Sequence, residues 1–188
     1  MADNKNLYFI ALLPSNELTN KIDLERKSFS EKYQSFHALK TAPHVTLIAP
    51  FKRAENFEVE MHLQIQDFFT RINSFQVSVN GYGCFQKNNK VIFFKVEKSK
   101  ELIAMHRQFV YFLRMQLNFS EKETSYMYHP HITIAHRDLT DDNFEKAWSE
   151  YEAKKFNADF LCHQAYLLKH NYSKWEVLSV FNFINDGR

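Results

Sequence analysis

Apolar positions along the chain fall into two rhythms. Short runs are continuous or alternate, longer stretches are spaced by three and four, so strands and helices are expected in turn. Residues 7–13 form the first short run. Pro14-Ser15 interrupts it and opens a helix, with Ser15 as N-cap and Glu17 in the positive first turn. Leu18, Ile22, Phe29, Tyr33 and Phe36 follow along one side. A short loop leads to Pro43 and a β-branched strand. A second helix over about residues 56–73 then carries Phe57, Met61, Ile65, Phe68 and Ile72 on one stripe. Residues 75–85 and 91–96 read as strands joined by the polar stretch Gln86-Lys87-Asn88-Asn89-Lys90. A third helix, about residues 100–117, buries Leu102, Phe109 and Leu113. A second β-branched strand begins near His131. Thr140 reads as the next N-cap, with Leu139 and Phe144 spaced as a hydrophobic staple. The helix behind it buries Phe144, Ala147, Trp148 and Tyr151. Two closing strands, about 156–168 and 175–184, flank a polar turn at His170-Asn171-Tyr172-Ser173.

Within this order lies a repeat. Strand, helix, Pro-His-x-Thr strand and helix occur at residues 7–73 and again at 91–153. The two motif histidines stand 87 residues apart, too far for a solenoid repeat. The expectation is one domain over residues 1–188 built by internal duplication: two interleaved lobes about a pseudo-twofold axis, with the motif strands at a shared central cleft. The motifs are Ala42-Pro43-His44-Val45-Thr46-Leu47-Ile48-Ala49 and His129-Pro130-His131-Ile132-Thr133-Ile134-Ala135. Alternate side chains of a strand share a face, so each histidine shares a face with its own threonine. A single His-x-Thr strand more often reports packing than chemistry. Two copies at matching places in a repeat favour function, because two histidines and two threonines are poor choices for a core that could hold Val or Leu.

Two imidazoles and two hydroxyls around one cavity suit phosphate-ester chemistry. One neutral imidazole can activate the attacking oxygen and one protonated imidazole can protonate the departing one. Threonine hydroxyls can donate to non-bridging phosphate oxygens. This logic requires no metal and no cofactor.

Composition narrows the setting. Hydrophobic residues are 45% of the 188, with 19 Phe, so there is ample material for a core. Three Gly and four Pro argue against a linker-rich chain. A net charge of +2 is too small for a general nucleic-acid coat protein, so a phosphate would be held by local charges. Cys84 and Cys162 form no metal or redox spacing and read as reduced, mostly core residues. No run reaches the roughly 18 apolar residues of a membrane span, and the opening run lacks a basic leader. A soluble cytoplasmic protein is expected, with no membrane and no obligate protein partner.

The paired motifs His44-Val45-Thr46-Leu47 and His131-Ile132-Thr133-Ile134 resemble the signature of the two-histidine (2H) phosphoesterase superfamily, which includes bacterial 2′-5′ RNA ligase-like proteins and cyclic nucleotide phosphodiesterases. The flanks Lys40-Thr41-Ala42-Pro43 and Ala49-Pro50-Phe51 are similar to those of bacterial members, and the resemblance spans nearly the whole chain. It implies a bilobal α+β fold with an antiparallel sheet in each lobe and helices outside. It implies His44 and His131 as the acid–base pair, without saying which is which, and Thr46 and Thr133 as phosphate ligands. The implied substrates are nucleotides or RNA ends carrying a 2′,3′-cyclic phosphate or a 2′-5′ linkage. Two rival readings are a nucleotide- or RNA-end-binding module without turnover, and a partner-binding protein using its aromatic-rich surface.

Other residues are weaker candidates. Lys40, Lys52 and Arg53 bracket the first motif and Arg137 follows the second; Arg137 is preferred because guanidinium matches phosphate oxygens. Phe51, Tyr128 and Tyr172 could stack on a base. His62, His106 and His163 are explained by the periodicity of their elements, and His37 and His170 read as surface groups in a loop and a turn. His129, His131 and His136 invite a zinc reading, but no partnering Cys pair or carboxylate stands at a recognisable spacing.

Overall fold

The computed structural model describes residues 5–184 except Asn88, in the expected polar turn, and Tyr126. The chain runs β1 (Lys5–Leu12), α1 (Asn16–Tyr33), a 3-10 turn (His37–Lys40), β2 (Val45–Ala54), α2 (Glu58–Phe69), β3 (Phe75–Phe85), β4 (Val91–Val96) and α3 (Lys100–Gln116). It continues through α4 (Glu121–Thr124), β5 (His131–Ala135), α5 (Asp141–Tyr151), β6 (Asn157–Cys162), β7 (Gln164–His170) and β8 (Trp175–Asn182). The fold is α+β. Two four-stranded antiparallel sheets have the orders β2-β1-β7-β8 and β5-β4-β3-β6. Each motif strand is therefore an edge, paired with the strand that precedes it in its own half.

Local chemistry starts the helices where expected. The Ser15 hydroxyl accepts from the Leu18 N–H at 3.3 Å and Thr140 accepts from Asn143 N–H at 3.3 Å. Leu139 and Phe144 are both buried, as a staple requires. Ser99 caps α3 in the same way. Gln34 ends α1 in the left-handed region at φ 53°, so Phe36 leaves the apolar stripe and is 47% exposed. The second helix is shorter than its stripe: a 3-10 turn precedes it and it stops at Phe69.

The expected strand over residues 156–168 is two strands in different sheets. β6 pairs with β3, the chain crosses over at His163, and β7 pairs with β1. Burial changes phase there: Phe160 and Cys162 are buried before the crossing, Ala165 and Leu167 after it. A one-residue slip in a period of two turns the opposite face inward, and here the second face belongs to the other sheet.

Helices α1 and α3 each cross to the other half. From α1, Phe29 and Tyr33 pack on Tyr151 of α5 at 5.2 and 6.3 Å, and the Tyr33 carbonyl accepts from Asn143 Nδ2 at 2.9 Å. From α3, Phe109 packs on Phe68 and Phe69 of α2 at 5.0 and 4.9 Å. His106 of α3 lies 3.0 Å, through Nε2, from the Leu47 carbonyl of the first motif strand. Phe144, fully buried under β4, anchors α5. Phe144→Ala should cost about 3–5 kcal/mol of stability, read as a lower urea midpoint. A midpoint unchanged within error would contradict this packing.

Candidate active site

Both motifs adopt one geometry. His44 stands at the entry to β2 and His131 opens β5. The five residues from each histidine share one burial pattern, in which the histidine and threonine are half-buried and the apolar residues between and after them are buried. His44 Nδ1 lies 2.7 Å from the Ala42 carbonyl, and His131 Nδ1 lies 2.7 Å from the His129 carbonyl. A carbonyl oxygen only accepts, so Nδ1 carries the proton in both rings and Nε2 is left for chemistry. Phe9 of β1 sits 4.9 Å from the His44 ring at 48°, and Phe93 of β4 sits 4.9 Å from the His131 ring at 52°. Behind these lie Trp175, 4.5 Å from Phe9, and Phe85, 4.6 Å from Phe93.

A cavity of about 280 Å³ opens beside the motif strands. Thr46 and Thr133 both line it, together with His44, Phe9 and Trp175. His131, expected at the same cavity, is not among its lining residues; it is near enough to His44 for its charge to oppose protonation there. The ionisable residues in the rest of the wall are Arg26, His37, His136 and Arg137, and no described carboxylate lines it.

Arg26 is the buried cation of this wall, only 3% exposed. Its guanidinium donates to Asp23 Oδ1 at 2.9 Å, to the Ala38 carbonyl, and to the Thr41 carbonyl at 2.9 Å. It thereby fixes the 3-10 turn and the chain entering Ala42, whose carbonyl orients His44. On the far side, Asp138 accepts from Ser35 Oγ at 2.7 Å and from the N–H groups of Phe36 and His37 at 2.8 Å each.

The imidazoles of the free cavity are neutral at pH 7. Burial, reinforced by the charges of Arg26 and His131, pulls His44 down to about 4 against the opposing Ala42 bond. Burial also lowers His131, and burial with the charges of His37 and Arg137 brings His136 down to about 4. His37 is lowered by burial, then by Arg137 and Lys40.

Several expected contributors lie elsewhere. Phe51 is 3% exposed and packed between Tyr8 and Phe119, at 5.9 and 4.8 Å, in the core. Tyr128 is stacked on His106 at 3.6 Å between centroids, outside the cavity wall. Tyr172 is 95% exposed in the β7–β8 turn at φ 67° and does not reach the cavity. Lys40 is exposed on the 3-10 turn and touches the site only through its charge on His37. Arg53 is committed to Glu123 at 2.6 Å and to the Phe119 ring. Arg137 does line the cavity. His37 is not a surface loop residue but part of the wall, and His170 ends β7 against Trp175 at 5.0 Å. Among the described residues no group of three or more His, Cys, Asp or Glu is placed to hold a metal ion.

Arg26, Trp175, Phe9, His37 and His136 were not singled out from the sequence as parts of the site. Arg26 carried a readable signal. It falls on the apolar stripe of α1 between Ile22 and Phe29, where a charge has no place unless something polar meets it.

The sequence profile of the 2′-5′ RNA ligase superfamily matches residues 17–173. The chain belongs to that superfamily. A Bacillus cytotoxicus protein provisionally named a phosphoesterase is 32% identical over 128 residues, covering 68% of each chain. A Bacillus mycoides protein of similar name is 29% identical over 147 residues, 78% of each. Among solved structures, TT0787 of Thermus thermophilus matches with a TM-score of 0.70 at 15% identity, over 96% of this chain and 99% of that one. Escherichia coli LigT complexed with 3′-AMP matches with a TM-score of 0.69 at 17% identity, over 97% and 100%. These two are likenesses of fold. The motif histidines of this superfamily member thus sit on the fold that the 2H resemblance implied.

Two measurements probe the site. A Cβ on Gly83 would come within 2.5 Å of Phe93 Cε2, so the ring that flanks His131 must move. Gly83→Ala should therefore shift the His131 imidazole resonances in NMR; unchanged resonances would break the link from β3 to the motif. The second measurement is stability against pH. Between about 4 and 6.5 the unfolded chain protonates His44, His106 and His136 while the folded protein does not. Stability is then full above pH 6.5 and falls as pH drops to 4, by up to about 1.4 kcal/mol per pH unit for each such proton. Urea midpoints that stay flat through that window would refute the neutral imidazoles.

Proposed function

We propose that this protein is a phosphoesterase that opens 2′,3′-cyclic phosphates or cleaves 2′-5′ linkages of nucleotides or RNA ends by paired-histidine acid–base catalysis. The observation that carries this reading is the duplicated setting of His44 and His131, each with its Nδ1 on a carbonyl and its threonine lining one cavity. Superfamily membership supports it, as do Escherichia coli LigT structures complexed with 3′-AMP, phosphate and ATP.

The phosphate enters a cavity whose wall is cationic and free of described carboxylates. Thr46 and Thr133 donate to its non-bridging oxygens, which favours the charge that builds as phosphorus gains a fifth oxygen. His44, beside the fixed charge of Arg26, stays neutral and takes the proton of the attacking water at Nε2. His131, whose lowering involves no arginine, is the ring that the arriving phosphate charge brings to its protonated form. It gives that proton to the departing ribose oxygen as the P–O bond breaks. One proton enters at His44 and one leaves from His131, so a proton must pass back through solvent before the next turnover.

The test is hydrolysis of a nucleoside 2′,3′-cyclic phosphate in excess chelator. His44→Ala and His131→Ala should each lower kcat by about 10²–10⁴-fold, and Thr46→Val or Thr133→Val by roughly 10²-fold. The kcat/KM profile should rise through about pH 4 and fall below 6.5, because the base must be neutral and the acid charged. Tight nucleotide binding with no product would replace catalysis by a binding module, and full turnover in either alanine variant would end the assignment.

A further inference from the structure

Beyond the two motifs, the cavity wall holds a second group of cationisable side chains. The His37 and His136 rings lie 4.9 Å apart at 82°, and Arg137 Nη1 is 3.3 Å from His37 Nε2. A guanidinium N–H only donates, so His37 accepts there and holds its own proton on Nδ1. All three residues line the cavity. They arrive from both halves of the chain, His37 from the 3-10 turn before β2 and His136-Arg137 from the end of β5.

The acid nearest this group is Asp138, whose charge is felt at His37 and His136 and only partly offsets the opposing burial and cationic neighbours. Among the described residues Arg137 has no carboxylate within ion-pair distance. The adjacent Asp138 spends its oxygens on Ser35, Phe36 and His37 backbone or hydroxyl donors. Arg137 also holds a left-handed backbone at φ 62°, which is uncommon for a residue other than glycine. A guanidinium kept beside two imidazoles with no ion-paired carboxylate is an arrangement that an anion would complete. The charge of His44 is felt at His136, so this group and the reacting centre are near neighbours.

We propose that His37, His136 and Arg137 form a second anion subsite, which makes the preferred substrate one that carries a further phosphate close to the phosphate that reacts. This rests on the phosphoesterase reading above and names its substrate class. The chemistry is a phosphate monoester or diester; its source is either a 5′-phosphate on the same ribose or the next phosphodiester of an RNA end.

The experiment compares kcat/KM for three probes: a nucleoside 2′,3′-cyclic phosphate, the same compound with a 5′-phosphate, and a dinucleotide ending in the cyclic phosphate. The wild type should favour one or both of the two-phosphate probes at least about tenfold, the scale of charge-assisted hydrogen bonds. Arg137→Gln and His136→Gln should bring that ratio towards one, with Arg137→Lys retaining part of it. Preference for the 5′-phosphate alone identifies a mononucleotide substrate, and preference for the dinucleotide alone identifies an RNA end. Equal kcat/KM for all three overturns the subsite and leaves the phosphoesterase reading standing. If no probe is hydrolysed, the same three are compared for binding. Tenfold tighter binding of a two-phosphate probe, lost in Arg137→Gln, keeps the subsite while the catalytic reading fails; equal affinities overturn the subsite.

Discussion

Each motif strand is an edge of its sheet, and what holds it in place is a helix that follows the other half's leading strand. Helix α1 leaves β1 and packs against β5 and α5, while α3 leaves β4 and carries His106 to the Leu47 carbonyl of β2. Neither motif strand can move outward without breaking contacts made by the opposite half. An edge strand left open is a hazard for wrong pairing; here α1 packs on β5, α4 packs on β2, and the two motif strands lie against each other. The placement of Thr46 and Thr133 on one cavity follows from that exchange.

Inside the cavity, charge and neutrality are kept apart by position. The permanent cations are Arg26 and Arg137; the imidazoles between them are partly buried and held neutral. A cavity with this wall has no described anion of its own to expel, so a phosphate meets donors without first displacing a carboxylate. The protons that the imidazoles lack are taken up when the ligand's charge makes them favourable, which ties binding to the protonation state needed for acid–base chemistry.

Much of this was legible because the signals are local. A hydroxyl before a helix, a staple across Thr140, and a His-x-Thr strand after proline each depend on neighbours within a few residues. Arg26, Trp175 and Phe9 join the site only through tertiary contacts, and only Arg26 left a local trace, as a charge on an apolar stripe. Phe51, a weak candidate for stacking on a base, lies on the side of β2 that faces Tyr8 and the core. The crossing at His163 was hidden because both strands are apolar; only the one-residue change of phase records it. His37 looked like a surface loop residue since its partners lie about a hundred positions away in Arg137 and Asp138.

The passage from β6 to β7 has a consequence for the order of assembly. β7 slots in beside β1, and β8 then brings Trp175 against Phe9 at the cavity wall. The first sheet thus stays half-built while the ribosome works through everything up to residue 163, and an inner strand, β1, waits with one side unpaired. The pocket is finished by a segment made after both motifs, so a nascent chain holds both His-x-Thr signatures well before it holds a complete binding surface.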